Sequence, residues 1–397
     1  MRLIFVNRFF YPDISATSQM LTDAAFYLAD RGHAVHVVTS RLTYAGDETL
    51  RAAEVVNGVT IHRIWTTRFG RGNLIGRALD YLSFYFSVFF VLMKLLNEKD
   101  TVIAKTDPPM VSVPVGWAAG LKRARHINWL QDLFPEVATE LGMNMPGFLA
   151  AMLQALRDRS LLTADMNIAI GQQMRARLLK LGVYTDKVTV IPNWADGEAI
   201  QPGDAPNPLR DEWQLGGQFI VGYSGNLGRA HEIGTLLGAM EELAEADDVS
   251  FLFIGGGALL EDLKLAVAAR GLKNTRFKPY QPRQMLQQSL TLPDVHLTIL
   301  RSEMEGLIVP SKIYGVLAAG RASIFVGHPE GEVAQMLREA EAGIVVREGD
   351  VQGLVQAVRL LQSDADAVSI MGANARRLFD ESLGKTRSLE KLEQVLV

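Results

Sequence analysis

The run E-G-L-I-V-P-S-K-I-Y-G-V-L-A-A-G, residues 305 to 320, sets Pro310, Ser311 and Lys312 together where an apolar helix begins. Proline suits a first helical turn and serine is a capping residue type. The amides of Ser311, Lys312 and Ile313 have no earlier carbonyl to bond, which makes them a place for an anion. Lys312 opposes the helix dipole, at about 0.3 kcal/mol or more, unless an anion is bound there. A second candidate is G-Y-S-G-N-L-G-R-A-H, residues 222 to 231. It reads as a strand ending in a glycine turn at Gly225 and Asn226, with Arg229 and His231 supplying positive charge where a diphosphate would lie. I-G-G-G, residues 254 to 257, repeats the arrangement without the G-x-G-x-x-G spacing of dinucleotide cofactors, so a nicotinamide enzyme is disfavoured. Finally W-L-Q-D-L-F-P-E, residues 129 to 136, places Asp132 just past a strand. There a carboxylate can take a proton from a hydroxyl, or it can cap the helix that follows.

These groups need a frame to hold them, and 397 residues with 48% hydrophobic and 21% charged content are enough for two domains. With no cysteine, disulfides, thiolate metal sites and cysteine nucleophiles are excluded. Seven scattered histidines form no H-x-x-x-H pair, so no structural zinc is expected. The net charge of -4 divides into +4 over residues 1 to 196 and -8 over residues 197 to 397, too mild for a nucleic-acid binder. The opening M-R-L-I-F-V-N reads as a strand rather than a signal peptide, and a cytoplasmic protein is expected.

Short β-rich runs alternate with helix-length segments. They fall at 3 to 6, 34 to 39, 59 to 64, 101 to 105, 126 to 130 and 166 to 170, and again at 219 to 225, 251 to 257, 275 to 280, 295 to 300 and 322 to 327. This rhythm predicts an α/β protein with two doubly wound, Rossmann-like domains facing across a cleft. Residues 197 to 217, rich in Pro, Gly and Asp, read as a linker between an N-terminal domain (1 to 196) and a C-terminal domain (218 to 375). A C-terminal helix over 376 to 397 would pack back on the first domain.

Residues 79 to 96, L-D-Y-L-S-F-Y-F-S-V-F-F-V-L-M-K-L-L, are apolar on nearly every face. The uninterrupted run from Tyr81 to Met93 is short for a membrane span, which takes about 18 residues or more. Such a helix must be covered by its own domain, or by lipid or a lipid-linked ligand. Arg63, Arg68, Arg71 and Arg77 upstream could meet anionic headgroups or a pyrophosphate.

Together, F-F-Y-P-D-I-S-A-T-S-Q (9 to 19), L-A-D-R-G-H-A-V-H-V-V-T (28 to 39), I-P-N-W-A-D (191 to 196), Y-S-G-N-L-G (223 to 228) and V-P-S-K-I-Y-G-V-L-A-A-G (309 to 320) resemble the family-4 retaining glycosyltransferases of the GT-B fold. The similarity covers nearly the whole chain and is greatest to the branch that builds bacterial exopolysaccharides, the colanic acid type. The resemblance implies transfer of a sugar, with retention, from a nucleotide-diphosphate donor bound by the second domain to an acceptor bound by the first. That acceptor would be a polyprenyl-diphosphate-linked saccharide. The enzyme would sit in the cytoplasm or peripherally on the inner membrane. The nucleotide sugar is then a substrate, and no cofactor or metal is expected. Donor contacts are expected at Gly225, Asn226, Arg229, His231, Tyr280, Glu305, Ser311, Lys312 and Ile313. Tyr11, Asp13, Ser15 and Thr17 are expected to face the acceptor, with Asp132 as the catalytic group. The family's phosphate-binding Arg and Lys fall on Asn226 and His231, leaving Arg229 and Lys312 as replacements. Its paired glutamates fall on Leu307 and Gly315, leaving Glu303 and Glu305 close enough to substitute, with Glu305 the preferred one. Two other readings suit the same sequence: a nucleotide-sugar epimerase of similar architecture, and a catalytically degenerate domain kept as a partner or scaffold.

Overall fold

The computed structural model describes the chain except residues 14, 45–48, 71–73, 144 and 204–206 and the side chain of Leu74. Arg71 therefore lies outside the described residues. The chain forms two compact units, one of Met1–Pro192 with Leu389–Val397 and one of Asn193–Ser388.

In the first unit the elements run β1 (Arg2–Val6), α1 (Ala16–Asp30), β2 (Ala34–Ser40), β3 (Ala53–Val56), β4 (Val59–Ile64), α2 (Leu74–Leu95) and β5 (Thr101–Lys105). They continue with α3 (Ser112–Lys122), β6 (Arg125–Trp129), α4 (Glu136–Glu140), α5 (Gly147–Thr163), β7 (Met166–Ala169), α6 (Gln172–Lys180) and β8 (Val188–Val190). The sheet order is β3-β4-β2-β1-β5-β6-β7-β8, parallel except for the antiparallel β3–β4 ribbon. Strands such as L-I-F-V and V-I-A are continuous apolar runs because helices cover them on both faces. The order reverses between β1 and β5, and in open α/β sheets ligands bind beyond the carboxyl ends of strands at such a point.

Helix α2 differs from both halves of the sequence expectation. Its 22 residues exceed the uninterrupted apolar run, and Ile75–Leu95 is long and apolar enough to cross a membrane by length and composition. Yet Phe84, Val88 and Leu92, four residues apart, are buried on β1, β5 and α3 against Ile4, Val6, Val102 and Ala118. That seam ties the helix to the sheet. The opposite face is uncovered, with Ile75, Leu82, Phe86 and Phe90 exposed at 76, 60, 67 and 49%. Of the upstream arginines, Arg63 is not a surface group: it is 4% exposed, paired with Glu54 at 2.5 Å and bonded to the Tyr11 carbonyl at 2.8 Å.

The second unit holds α7 (Pro208–Glu212), β9 (Phe219–Asn226), α8 (Gly234–Glu242), β10 (Val249–Gly256), α9 (Leu260–Ala269), β11 (Thr275–Lys278), α10 (Leu286–Thr291) and β12 (Val295–Ile299). After these come α11 (Lys312–Ala318), β13 (Ala322–Gly327), α12 (Glu332–Glu339), β14 (Gly343–Arg347), α13 (Val351–Ser363), α14 (Ala365–Leu378) and the start of α15 (Lys385–Leu396). All six strands are parallel in the order β11-β10-β9-β12-β13-β14, so this sheet reverses between β9 and β12. Much of the segment read as a linker belongs inside this unit. Asn207 caps α7 by accepting from the Leu209 amide at 3.0 Å, and Leu209, Trp213 and Leu215 are buried with Ile220, Leu252 and Ile254. The polar lettering hid three apolar anchors.

Candidate active site

In the second unit the expected donor residues gather where β9 ends. Gly225 has φ +127°, a conformation few other residues adopt, and a Cβ there would lie 3.9 Å from Cε of Lys312. Gly255 at the end of β10 is equally constrained, because a Cβ would come within 2.2 Å of the Gly225 carbonyl. Lys312 does not reach for open solvent. Its Nζ donates to the Tyr223 hydroxyl, lies 2.8 Å from His231 Nε2 and sits 4.0 Å from the Tyr223 ring centroid. His231 Nδ1 is 2.8 Å from the Gly228 carbonyl. With that nitrogen donating, Nε2 accepts from the ammonium. Burial, reinforced by Lys312, holds the imidazole down at about 3, so it is neutral at ordinary pH. Burial also pushes Lys312 down to about 7. Tyr223 is raised by burial and then by Tyr280, and Tyr280, 60% exposed, would press on a Cβ at Gly256. Asn226 and Arg229 are exposed at the same turn.

Other expectations are corrected. Ser311 is exposed and makes no side-chain cap bond. The Ile313 amide is not free either, since it donates to the Pro310 carbonyl at 3.2 Å. Of the three expected amides, that of Ile313 is thus taken up in its own turn, and the charge of Lys312 is the clearest feature this segment offers an anion. The start of α8 is likewise occupied: Glu232 Oε2 accepts from the Thr235 amide at 2.9 Å. Glu305 serves the start of α12, accepting from the Glu332 amide at 2.8 Å. Its carboxyl is raised by burial. The sequence contains one Asp-x-Asp, at Asp364 and Asp366. Asp364 caps α14 through the Ala367 amide at 2.9 Å, a structural use.

In the first unit Asp132 lies past the end of β6 and does not cap α4, whose first turn has no side-chain cap. Its Oδ1 is buried, with no hydrogen-bond partner among the described residues. Burial first, and the Asp107 carboxylate second, push it up to about 7, while a hydrogen bond with Thr106 opposes the rise. Asp107 follows β5, across the switch point from β1, and Thr17 Oγ1 donates to it at 3.4 Å. Thr17 thus joins Asp132's neighbourhood. Asp13 does different work: it accepts from the Ser15 amide at 2.8 Å and from the Tyr44 amide, pinning the loop. Ser15 precedes α1 without a side-chain cap bond, and Tyr11 stacks obliquely on Phe26, 5.6 Å between centroids.

Two family models divide the chain between them: the glycosyl transferase 4-like domain matches residues 16–194, and glycosyl transferases group 1 matches residues 208–378. The chain belongs to this two-domain glycosyltransferase family. The glycosyltransferase is 26% identical over 376 residues to WcaI of Escherichia coli K12, described as a colanic acid biosynthesis glycosyl transferase, covering 90% of this chain and 91% of that one. It is 27% identical over 336 residues to the probable glycosyltransferase WbjE of Pseudomonas aeruginosa, covering 82% and 81%. Anabaena HepE in complex with UDP shares the fold, with a TM-score of 0.73, 14% identity and coverage of 100% and 99%. The GT-B fold expected from sequence is therefore the fold of this glycosyltransferase, two α/β Rossmann-like units. Sequence reasoning missed Tyr223, Asp107 and Lys105. The signal available for Lys105 was a charged residue closing the otherwise apolar strand T-V-I-A-K.

Proposed function

We propose that the protein transfers a sugar, with retention and without a metal, from a nucleotide-diphosphate sugar held by the second unit to a lipid-diphosphate-linked saccharide held by the first, in bacterial surface polysaccharide assembly. The observation that carries this is Lys312 Nζ, set beside the constrained Gly225 turn and held by Tyr223 and neutral His231. Cleaving an anomeric carbon–diphosphate bond builds negative charge on the departing phosphate. A preplaced ammonium stabilises that charge, with exposed Arg229 at the same turn as a second cation. Asp132 takes the acceptor hydroxyl's proton, its raised pKa matching work near neutral pH. WcaI and HepE, by their names, support polysaccharide assembly and a UDP-type donor respectively.

The uncovered face of α2 supports a peripheral seat on the cytoplasmic face of the inner membrane, where the lipid-linked acceptor is delivered. Its aromatic and aliphatic residues, with Lys94 in the last turn, suit the boundary of an anionic lipid surface. Co-sedimentation with anionic vesicles tests that seat.

The decisive experiment is a thermal-shift screen of UDP-, GDP- and dTDP-sugars on wild type and Lys312→Met, followed by labelled donor with a membrane lipid extract. A matching donor at 100 times its dissociation constant adds about 2.7 kcal/mol to wild type. Lack of a shift with every donor, or equal shifts in the variant, overturns the donor assignment. Isomerised donor without transfer would identify an epimerase instead.

A further inference from the structure

Arg8 stands just past the end of β1, and its main chain is pinned at the switch point of the first sheet. Its amide donates to the Asp107 carbonyl at 2.6 Å, and its carbonyl accepts from the Ser40 amide and from Thr39 Oγ1, each at 2.9 Å. Arg8 is 6% exposed, yet among the described residues its guanidinium makes no hydrogen bond. Nε is buried without a partner, and the ion pair to Asp80 of α2 is 3.7 Å long, beyond hydrogen-bond reach. Asp80 is committed elsewhere: it accepts from Thr67 Oγ1 at 2.7 Å and from the amides of Phe69 and Gly70 at 3.0 and 3.1 Å. The cation of Arg8 lies instead between two rings, 5.3 Å from the centroid of Phe9 and 5.1 Å from that of Tyr81. Rings hold the charge without taking up its N–H groups. Buried polar groups are ordinarily bonded. A rigid fork of unspent donors at the ligand end of a parallel sheet suits the paired oxygens of a phosphate.

We propose that Arg8 binds the diphosphate of the lipid-linked acceptor, its guanidinium releasing the long contact with Asp80 to take two phosphate oxygens. The inference rests on the reading that the acceptor is a lipid-diphosphate-linked saccharide, and it names the residue that grips the diphosphate. Helix α2 brings both halves of such a ligand together. Asp80 and Tyr81 meet Arg8, while their neighbours Leu79 and Leu82 are exposed at 43 and 60% on the uncovered face. A head group held at Arg8 is thus about one helix diameter, roughly 10 Å, from the apolar surface along which its hydrocarbon chain would run. Of the acids beside Arg8, Asp80 is turned to the loop at 67 to 70 and Asp107 meets Arg8 through its main-chain carbonyl. Neither carboxylate is hydrogen-bonded to the fork.

The test is calorimetric titration of farnesyl diphosphate, a short polyprenyl diphosphate, into Arg8→Met, Arg8→Lys and the unchanged Arg8 chain, with folding checked by circular dichroism. All three carry Lys312→Met, so that the donor centre does not answer for the acceptor centre. Farnesyl diphosphate should bind when Arg8 is present and weaken about tenfold or more in Arg8→Met, the worth of a charged hydrogen bond. Arg8→Lys restores a cation for Asp80 and the rings but not the fork, so it should recover the fold and only part of the affinity. If the Met variant does not fold, Arg8→Lys takes its place, with a loss of about threefold or more expected. Equal affinity with and without Arg8, or no binding when Arg8 is present, overturns the assignment. Inorganic pyrophosphate that binds as tightly as farnesyl diphosphate makes this a site for a free diphosphate and overturns the lipid-linked form. In the transfer assay with membrane lipid extract, Arg8→Met on an otherwise wild-type chain should raise the acceptor KM and leave the donor-induced thermal shift intact. Transfer to lipid with an unchanged KM overturns the role of Arg8 alone. Farnesyl diphosphate bound through Arg8, with no transfer by wild type to any lipid, overturns the acceptor reading and keeps the diphosphate site.

Discussion

Lys312 and Lys105 are each driven down to about 7 by burial, yet they stand in opposite surroundings. Lys312 has a hydroxyl and an imidazole beside it and a constrained glycine turn within reach. In the proposed reaction it exchanges those partners for the oxygens of an incoming phosphate. Lys105 is sealed against the indole of Trp129, and among the described residues its Nζ has no hydrogen-bond partner. The same side chain at the same pKa meets polar partners in one unit and an aromatic ring in the other, and neighbours rather than titration distinguish the two.

The largest effect expected from this contrast is at the sealed centre. Asp132→Asn should lower transfer by about 10²- to 10⁴-fold while leaving the donor-induced rise in melting temperature intact; near-normal turnover would remove the first unit's centre from the chemistry. At the open centre, Lys312→Met should weaken donor binding roughly 10- to 100-fold, the worth of a charged hydrogen bond, as read by calorimetric titration. Donor binding in wild type should also depend on pH. The ammonium form, dominant below about 7, is the one that binds an anion, and the bound diphosphate raises its pKa. Affinity is therefore full on the acid side and falls by about tenfold as pH rises from 7 toward 9, whereas the Met variant should show a flat profile. The smallest effect concerns the open face of α2. Phe86→Glu should shift stability by no more than about 0.5 kcal/mol because Phe86 touches solvent, while reducing vesicle binding. A large loss of melting temperature would mean that this face is covered after all.

The sheets were legible because fully buried parallel strands are written as unbroken apolar runs: V-H-L-T-I and A-S-I-F-V-G were read within a residue of where they lie. The antiparallel ribbon strand A-E-V-V was not, since its half-exposed pattern carries no such run, and three-residue β8 is too short to stand out. At the site, Lys312 and His231 were legible as charges beside turns, and the structure brings their side chains together. Ser311 was read as a capping type and makes no side-chain cap bond, and the Ile313 amide, read as open, is bonded to the Pro310 carbonyl. Glu305 looked like a free acid because nothing in its own segment reveals that it bonds the first turn of α12, whose partner amide lies 27 residues away. Tyr223 was hidden inside a strand, and Lys105 and Asp107 gain meaning only from the neighbouring strand. Contacts across strands are what one line of letters conceals.

Helix α15 begins in the second unit, yet its later part belongs to the first. There Arg125 donates to the carbonyls of Val395 and Leu396, each at 2.9 Å, and Glu393 meets His33 at 2.9 Å. The N-terminal unit is thus discontinuous along the chain. During synthesis it waits, with its place for residues 389–397 unfilled, until the entire second unit has emerged from the ribosome, so the part made first is the part finished last.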